Sequence, residues 1–345
     1  MIAIGTMLRR RVRARWFKTW NAALDGALNT LPETDCCPRE LYRLLCTRAD
    51  PHKAYALVED AREGPVSVAC LRRRESFHDW VPVTHHIVPG IIFPVARGRL
   101  PEVVSALHRD MWLDWWRMGD YTSQLAGVRS VETGPTFGLE DPAGCEEYWH
   151  KTHYLQTVKR SARKCEGLVL RTNAPGMGRW LIENWERKWR PAGAPPRGDL
   201  EDKIAAAEYL ERVGRSYVFT LHEGDRPAAG VSVLIHHDAA VAQYSYRDPE
   251  FDSRGAGTCL VADVAKWAAE AGLKVDLGTA HDEHKCKVGE ITGSRSTVHV
   301  CPRFQYAFRA AQEIVGHMRA QGLGHYLKAL VAKVTHAGPH PVAAH

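Results

Sequence analysis

Long apolar runs are missing from this chain. No stretch approaches the roughly 20 residues that a membrane-spanning helix requires. "HHIVPGIIFPV" is short and interrupted by Pro89 and Pro94, so it reads as buried strand. The opening, "MIAIGTMLRRRVRARWFKTW", places its charges after a very short apolar stretch, the reverse of a secretory signal. Regular cysteine spacing is also absent. The nine cysteines are scattered and odd in number, which argues against a disulfide framework and leads us to expect a reducing, cytoplasmic setting. Charge of one sign is not dominant either. The formal net charge of +6 suits an anionic ligand but is too small to indicate nucleic acid by itself.

Metal and nucleotide signatures are equally thin. His281, His284 and Cys286 supply soft ligands, but a fourth is missing and no pair has finger-like spacing, so no metal is expected. His85-His86 and His236-His237 are adjacent pairs that point to opposite faces of a strand. There is no Gly-Lys-Ser/Thr ending, which excludes a P-loop.

What is present is enough chain for two domains, since 345 residues exceed the usual single-domain size. Recurrence of Trp16, Trp20, Leu24 and Leu28 at four-residue steps predicts a helix from about 9 to 31. A second helix is predicted over "RLPEVVSALHRDMWLDWWRMG" and a third, basic at its end, over "DPAGCEEYWHKTHYLQTVKRSARKCEG". "YALVED", "GPVSVACLRRR", "VRSVETGPTFGL" and "LVLRT" read as strands. A helix carries Trp180, Trp185 and Trp189, and another follows with Asp199 as its cap. From Ser216 three strands are joined by the turns "EGDRP" and "HHDA". A helix, the strand "LKVDLG" and a long C-terminal helix with a Pro/Ala/His tail complete the pattern. Both halves show strands followed by a helix, as a duplicated domain would.

The informative stretch is "DPEFDSRGAGTCLVADVAKWAAEAG", residues 248 to 272. A strand enters the turn Arg254-Gly255-Ala256-Gly257-Thr258, and the turn opens an amphipathic helix. Backbone N–H groups at a helix start have no intrahelical partners, and the helix dipole adds positive potential there. Glycines let a ligand approach the backbone, and Arg254 adds a charged fork of donors. A pyrophosphate fits such a turn. The alternative is a tight loop with no ligand. The preceding strands look antiparallel, unlike the parallel crossover of a Rossmann unit.

Here the chain resembles the GNAT acyltransferases, whose Arg/Gln-x-x-Gly-x-Gly/Ala signature lies between a fourth strand and the following helix. Cys259 stands where that signature has glycine or alanine. A closer similarity is to the two-domain branch of acetyltransferases assigned to cellulose or polysaccharide biosynthesis. It runs through the Asp248-Pro249-Glu250 turn, "GTCLVADVAKWAAEAGLKVDLG", "DLGTAHDEHKCKVGE" and the basic helix "EEYWHKTHYLQTVKRSARKCE". His284 replaces a common tyrosine and Val288 a common tryptophan.

The resemblance implies an α/β (α+β) fold of two tandem GNAT-like domains, each a mixed, largely antiparallel sheet flanked by helices. The expected division is 1–140, 141–310 and a C-terminal helix and tail over 311–345. It implies acetyl-CoA or another acyl-CoA as co-substrate, held by Arg254, Gly255, Ala256, Gly257, Thr258 and Lys285, with a small-molecule, sugar or peptide amine as acceptor. Asp276, at the end of a strand, is the candidate base, or a carboxylate capping nearby amides. His284 is the candidate acid or base. Tyr244 and Tyr246 share one strand face and, with Asp282, would line the acceptor pocket or pack in the core. Two other readings stand beside this one. A Fem-type ligase would take its group from aminoacyl-tRNA through the basic helix around Lys159, Arg160 and Arg163, and a scaffold would keep the shape without catalysis.

Overall fold

The computed structural model describes residues 12–33, 37–73, 80–84, 87, 93–107, 111–116, 128–190, 198–279 and 283–300. The first half runs β1 (Val12–Phe17), α1 (Ala22–Thr30), α2 (Arg39–Thr47), β2 (Lys53–Asp60), β3 (Gly64–Arg73), β4 (Trp80–Pro82), α3 (Leu100–Leu107), β5 (Met111–Trp116) and β6 (Val128–Leu139). A 3-10 turn (Pro142–Gly144), α4 (Cys145–Lys151) and α5 (Leu155–Lys164) lead onward. The second half repeats the order: β7 (Val169–Thr172), α6 (Met177–Trp189), α7 (Leu200–Arg212), β8 (Ser216–Glu223), β9 (Arg226–His236), β10 (Ala239–Arg247), α8 (Ala256–Glu270) and β11 (Lys274–Thr279). It ends with a short α9 (Glu283–Val288) and β12 (Glu290–Val300).

The duplication is explicit in the sheet. Twelve strands are ordered β1-β2-β3-β4-β5-β12-β6-β11-β10-β9-β8-β7. Each half contributes its first five strands to its own side and its last strand to the other. β6 pairs with β11 and β12, while β12 pairs with β5 and β6. The expected division at residue 140 therefore falls at the end of a strand flanked on both sides by the second half.

Three predicted helices are corrected. The segment 9–31 is a strand followed by a helix. Val12 is buried, Arg13 and Arg15 are exposed, and Ala14 and Trp16 lie between, which is the two-residue alternation of a strand. Asn21 then caps α1, accepting from the N–H groups of Ala23 (3.0 Å) and Leu24 (3.2 Å). In the second segment the helix stops at Leu107, and the Trp-rich "MWLDWW" is strand β5, because β12 offers it a ladder of hydrogen bonds. The third segment breaks between α4 and α5, where His153 takes φ 58°. The C-terminal helix lies outside the described residues.

The halves share a core. Ala206 and Leu210 of α7 and Leu234 of β9 join Leu41, Leu45, Val68 and Leu71 of the first half. Polar groups bridge them too. The side chain of Asp202 on α7, 5% exposed, receives Arg48 (3.0 Å), Lys53 (3.0 Å) and Arg72. Lys53 also donates to the carbonyls of Leu45 (2.7 Å) and Arg48 (3.1 Å), and Arg72 to Asp50 (2.7 Å). Burial, the largest single influence, would raise the Asp50 carboxyl, but the Arg72 hydrogen bond, the His52 N–H and the charges of Arg72 and Lys53 together hold the group below its usual range.

At the far end of α7, Glu211 stands against the start of α6. A Cβ on Gly178 would lie 2.1 Å from its Oε1, and that atom has no hydrogen-bond partner among the described residues. Burial, then the neighbouring Glu208, push this carboxyl up to about 7. The folded chain thus keeps a proton that the unfolded chain releases near 4.5, so stability falls as pH climbs between those values. Glu211→Gln should flatten that slope and raise stability at pH 8 by about 1–2 kcal/mol, a figure discounted for partial exposure. Thermal melts from pH 5 to pH 8 check it; equal slopes in both proteins would refute it.

Candidate functional site

Four strands of the second half, β7 to β10, precede the glycine turn, and α8 follows it. The turn is built from the Asp248 side. Asp248 accepts from the Glu250 N–H (3.0 Å), and Arg226 grips Asp248 (2.8 Å) and Glu250 (2.7 Å). One 3-10 turn later Gly255 takes φ 74° and becomes the N-terminal cap of α8, with no side-chain cap. Two demands select glycine there. The left-handed backbone disfavours a Cβ, and a Cβ would stand 2.4 Å from Ser161 Oγ on α5. The Ala256 and Gly257 amides open the helix, in its first turn where N–H groups lack intrahelical partners; Ala256 is fully buried and Gly257 partly exposed. Thr258 N–H already donates to the Gly255 carbonyl (2.9 Å). Gly257 is less crowded, since its Cβ would meet only Arg247, at 3.8 Å and beyond.

Arg254 is held by the protein's own acceptors. Its guanidinium donates to the carbonyls of Lys164 (2.9 Å) and Glu166 (3.1 Å) and to Glu223 (2.7 Å). It therefore fastens the turn to the end of α5. Cys259 is buried, and burial, then a hydrogen bond with Cys165, raise its thiol well above the usual range. The departure from the small-residue signature thus faces the seam between α5 and α8, which is why cysteine is accommodated.

Beside this turn the sheet has a notch. β10 and β11 run parallel, but their pairing covers only Ala239–Lys274, Ala240–Val275 and Val241–Asp276. Beyond that point β10 continues to Arg247 on β9 alone, with a bulge between Ala242 and Ser245. β11 continues on β6, with a shift between Asp276 and Gly278. Past Val241 and Asp276 the two strands therefore part, forming a wedge in the sheet on the side toward the end of β10, from which the glycine turn and α8 follow in the chain.

Asp276 lies at the last shared pair. It is 2% exposed and accepts from the Gly278 N–H (2.7 Å). Lys285 on α9 donates to the Leu277 carbonyl (2.6 Å), at the same irregularity. The backbone of His284 is in α9, its side chain outside the described residues, and Asp282 is outside them altogether. Tyr244 and Tyr246 do share a face, packed edge-on against Trp185 (5.0 Å) and Trp180 (5.6 Å) of α6. Tyr244 is buried at 4% exposure, a core residue, while Tyr246 is partly open. Asp199 occupies its cap position, but its side chain pairs with the buried Lys203 (2.9 Å) instead of capping. Sequence reasoning missed Gln243, whose side chain leaves the β10 bulge to donate to the Ile87 carbonyl of the first half (2.9 Å). It also missed Ser161. Neither carries a local signal, because each partner is distant in the chain.

With this geometry in hand, comparison places the second half. Residues 152–286 match the family model of the acetyltransferase (GNAT) domain. No curated protein matches the chain. Among solved structures, a conserved protein of unknown function from Bacteroides thetaiotaomicron VPI-5482 is similar at 11% identity and a TM-score of 0.51, covering 82% of this chain and 98% of that one. L-PGS from Bacillus licheniformis aligns at 11% identity and a TM-score of 0.49, over 82% and 92%. A tandem GNAT protein from the clavulanic acid biosynthesis pathway aligns at 14% identity and a TM-score of 0.44, over 84% and 99%. The likeness is one of fold: a mixed α/β sheet of GNAT type flanked by helices. Among the described residues no helix is long and apolar enough to cross a membrane, and no cluster of His, Cys, Asp and Glu could hold a metal ion.

Proposed function

We propose that the chain is an acyl-CoA-dependent N-acyltransferase, of the two-domain kind that acetylates a sugar, peptide or small-molecule amine, and that it works in the cytoplasm. The observation that carries this reading is the parting of β10 and β11 beside an uncapped helix start. A diphosphate would accept from the partly exposed Gly257 amide, where the dipole favours negative charge, with the buried Ala256 packing the turn beneath it. The thioester arm would lie in the wedge, between two strand edges whose polar groups lack each other. Arg254 and Thr258 would hold the turn in shape, and Lys285 the floor of the wedge.

The amine nitrogen attacks the thioester carbonyl, the C–N bond forms and the C–S bond breaks. Asp276 takes the proton lost by the amine, and His284 returns one to the departing thiolate. Tyr246 and Asp282 would face the acceptor; the buried Tyr244 would back them. Acetyl-CoA at a hundredfold excess over its dissociation constant should stabilise the protein by about 2.7 kcal/mol, read as a rise in melting temperature. No rise with acetyl-CoA or longer acyl-CoAs would reject the reading.

One observation favours a second donor. Lys159, Arg160 and Arg163 are exposed on α5 and form no ion pair among the described residues. An aminoacyl-tRNA could lie along them, as in a Fem-type ligase. A melting shift with charged tRNA that disappears steeply with salt, and none with acyl-CoA, would select it.

A further inference from the structure

The glycine turn occurs twice. Gly98 has φ 74°, as Gly255 does, and each follows an arginine, Arg97 or Arg254. Each stands at the threshold of a helix, α3 at Leu100 and α8 at Ala256. The surroundings repeat as well. α3 connects β4 to β5 and α8 connects β10 to β11, and both strand pairs are parallel.

The differences fall on the helix start itself. At the second helical position α8 has Gly257 and α3 has Pro101, which carries no N–H to offer. At the third, α8 has Thr258 and α3 has Glu102. Gly98 stands one residue further from its helix than Gly255 does, and the extra residue is Arg99. That arginine folds back onto acids of its own half: Glu102 (2.6 Å), Asp60 (2.8 Å) and Glu63. The Asp60 side chain is fully buried, so the cluster is anchored in the core. A phosphate approaching α3 would meet three carboxylates, and Arg99 is already engaged by them. It would also find one amide fewer.

We infer that the first-half turn is a donor site closed from within by Arg99 and its carboxylates, so that the chain takes up acyl-CoA through the second half alone. This rests on the donor reading above. The duplicated folds have divided the work: one retains an anion-accepting helix start, the other has filled its own with internal salt bridges.

Isothermal titration calorimetry with acetyl-CoA tests this on the full chain, on Gly257→Asp and on Arg99→Gln, each checked by thermal melting. The wild type should bind one equivalent per chain. Gly257→Asp should bind at least tenfold more weakly, and Arg99→Gln should bind one equivalent with affinity within twofold of wild type. Two equivalents in the wild type, or full binding surviving in Gly257→Asp, would overturn the inference while leaving a donor role intact. Loss of binding in a folded Arg99→Gln protein would also overturn it, since the first half would then hold the donor. Absence of binding in all three would remove the donor reading and this inference with it.

Discussion

Asp202→Ala is expected to lower the unfolding free energy by about 3–5 kcal/mol, the usual result of removing one partner from a buried ionic cluster. The carboxylate is the common acceptor of Arg48, Lys53 and Arg72, and the Lys53 side chain is fully buried. Deleting it leaves Lys53 with two backbone carbonyls, Arg72 with Asp50 and Arg48 with only the distant Glu201 (3.9 Å) as acceptors. Because Asp202 is on α7 and its partners are on the first half, the loss should loosen the contact between halves as well as the protein as a whole. Chemical denaturation would show a lower midpoint, and hydrogen exchange would rise in α2 and α7 together. A change below 1 kcal/mol would mean that the cluster is solvated and the halves are held by apolar packing alone. Acid should act on the same cluster. The stability contributed by Asp50 is complete above the usual carboxylate range and fades as pH falls through its lowered value.

The second large effect is expected at Gly257, where folding and binding separate. A Cβ at this position meets only Arg247 at ordinary contact distance, so the backbone tolerates a side chain there and Gly257→Asp is expected to fold. Its carboxylate would sit in the first turn of α8, where an acid favours the helix dipole. The variant should therefore melt at or slightly above the wild-type temperature. The same carboxylate faces the amide assigned to the diphosphate, so acyl-CoA binding and acyl transfer should collapse. Gly255→Ala behaves differently: it opposes a left-handed backbone and presses on Ser161, and stability falls along with binding. Calorimetry and melting on the two variants distinguish a ligand-binding turn from a merely structural one. Unchanged affinity in a stable Gly257→Asp protein would refute the donor site.

Much of the second half was legible because its signals are local. Alternation from Ser216 to Arg247, two turns and a glycine before an apolar helix each occupy a few adjacent residues, and the structure has β8, β9, β10 and α8 there. The early helix was misread for a physical reason. Residues at four-residue steps also lie at multiples of two, so Trp16 fits a strand face as well as a helix face, and the edge of β2 settled the matter. The site was legible in its backbone and not in its side-chain commitments. Arg254 has the right chemistry for phosphate, but its donors meet Lys164 and Glu166, about ninety residues earlier. No pattern within the turn signals those partners. The wedge depends on which strand β11 chooses beyond Asp276, a pairing with Thr136 to Gly138 of the other half.

The reciprocal exchange of β6 and β12 has a consequence for synthesis. As the chain leaves the ribosome, β5 emerges with one flank bare, and its neighbour on that side ends only at Val300. A nascent first half thus carries an open sheet edge through most of translation, the kind of edge that invites aggregation. Completion of each lobe awaits the other, so the polypeptide should resist separation into autonomous fragments, and its final closure should be a late, cooperative event.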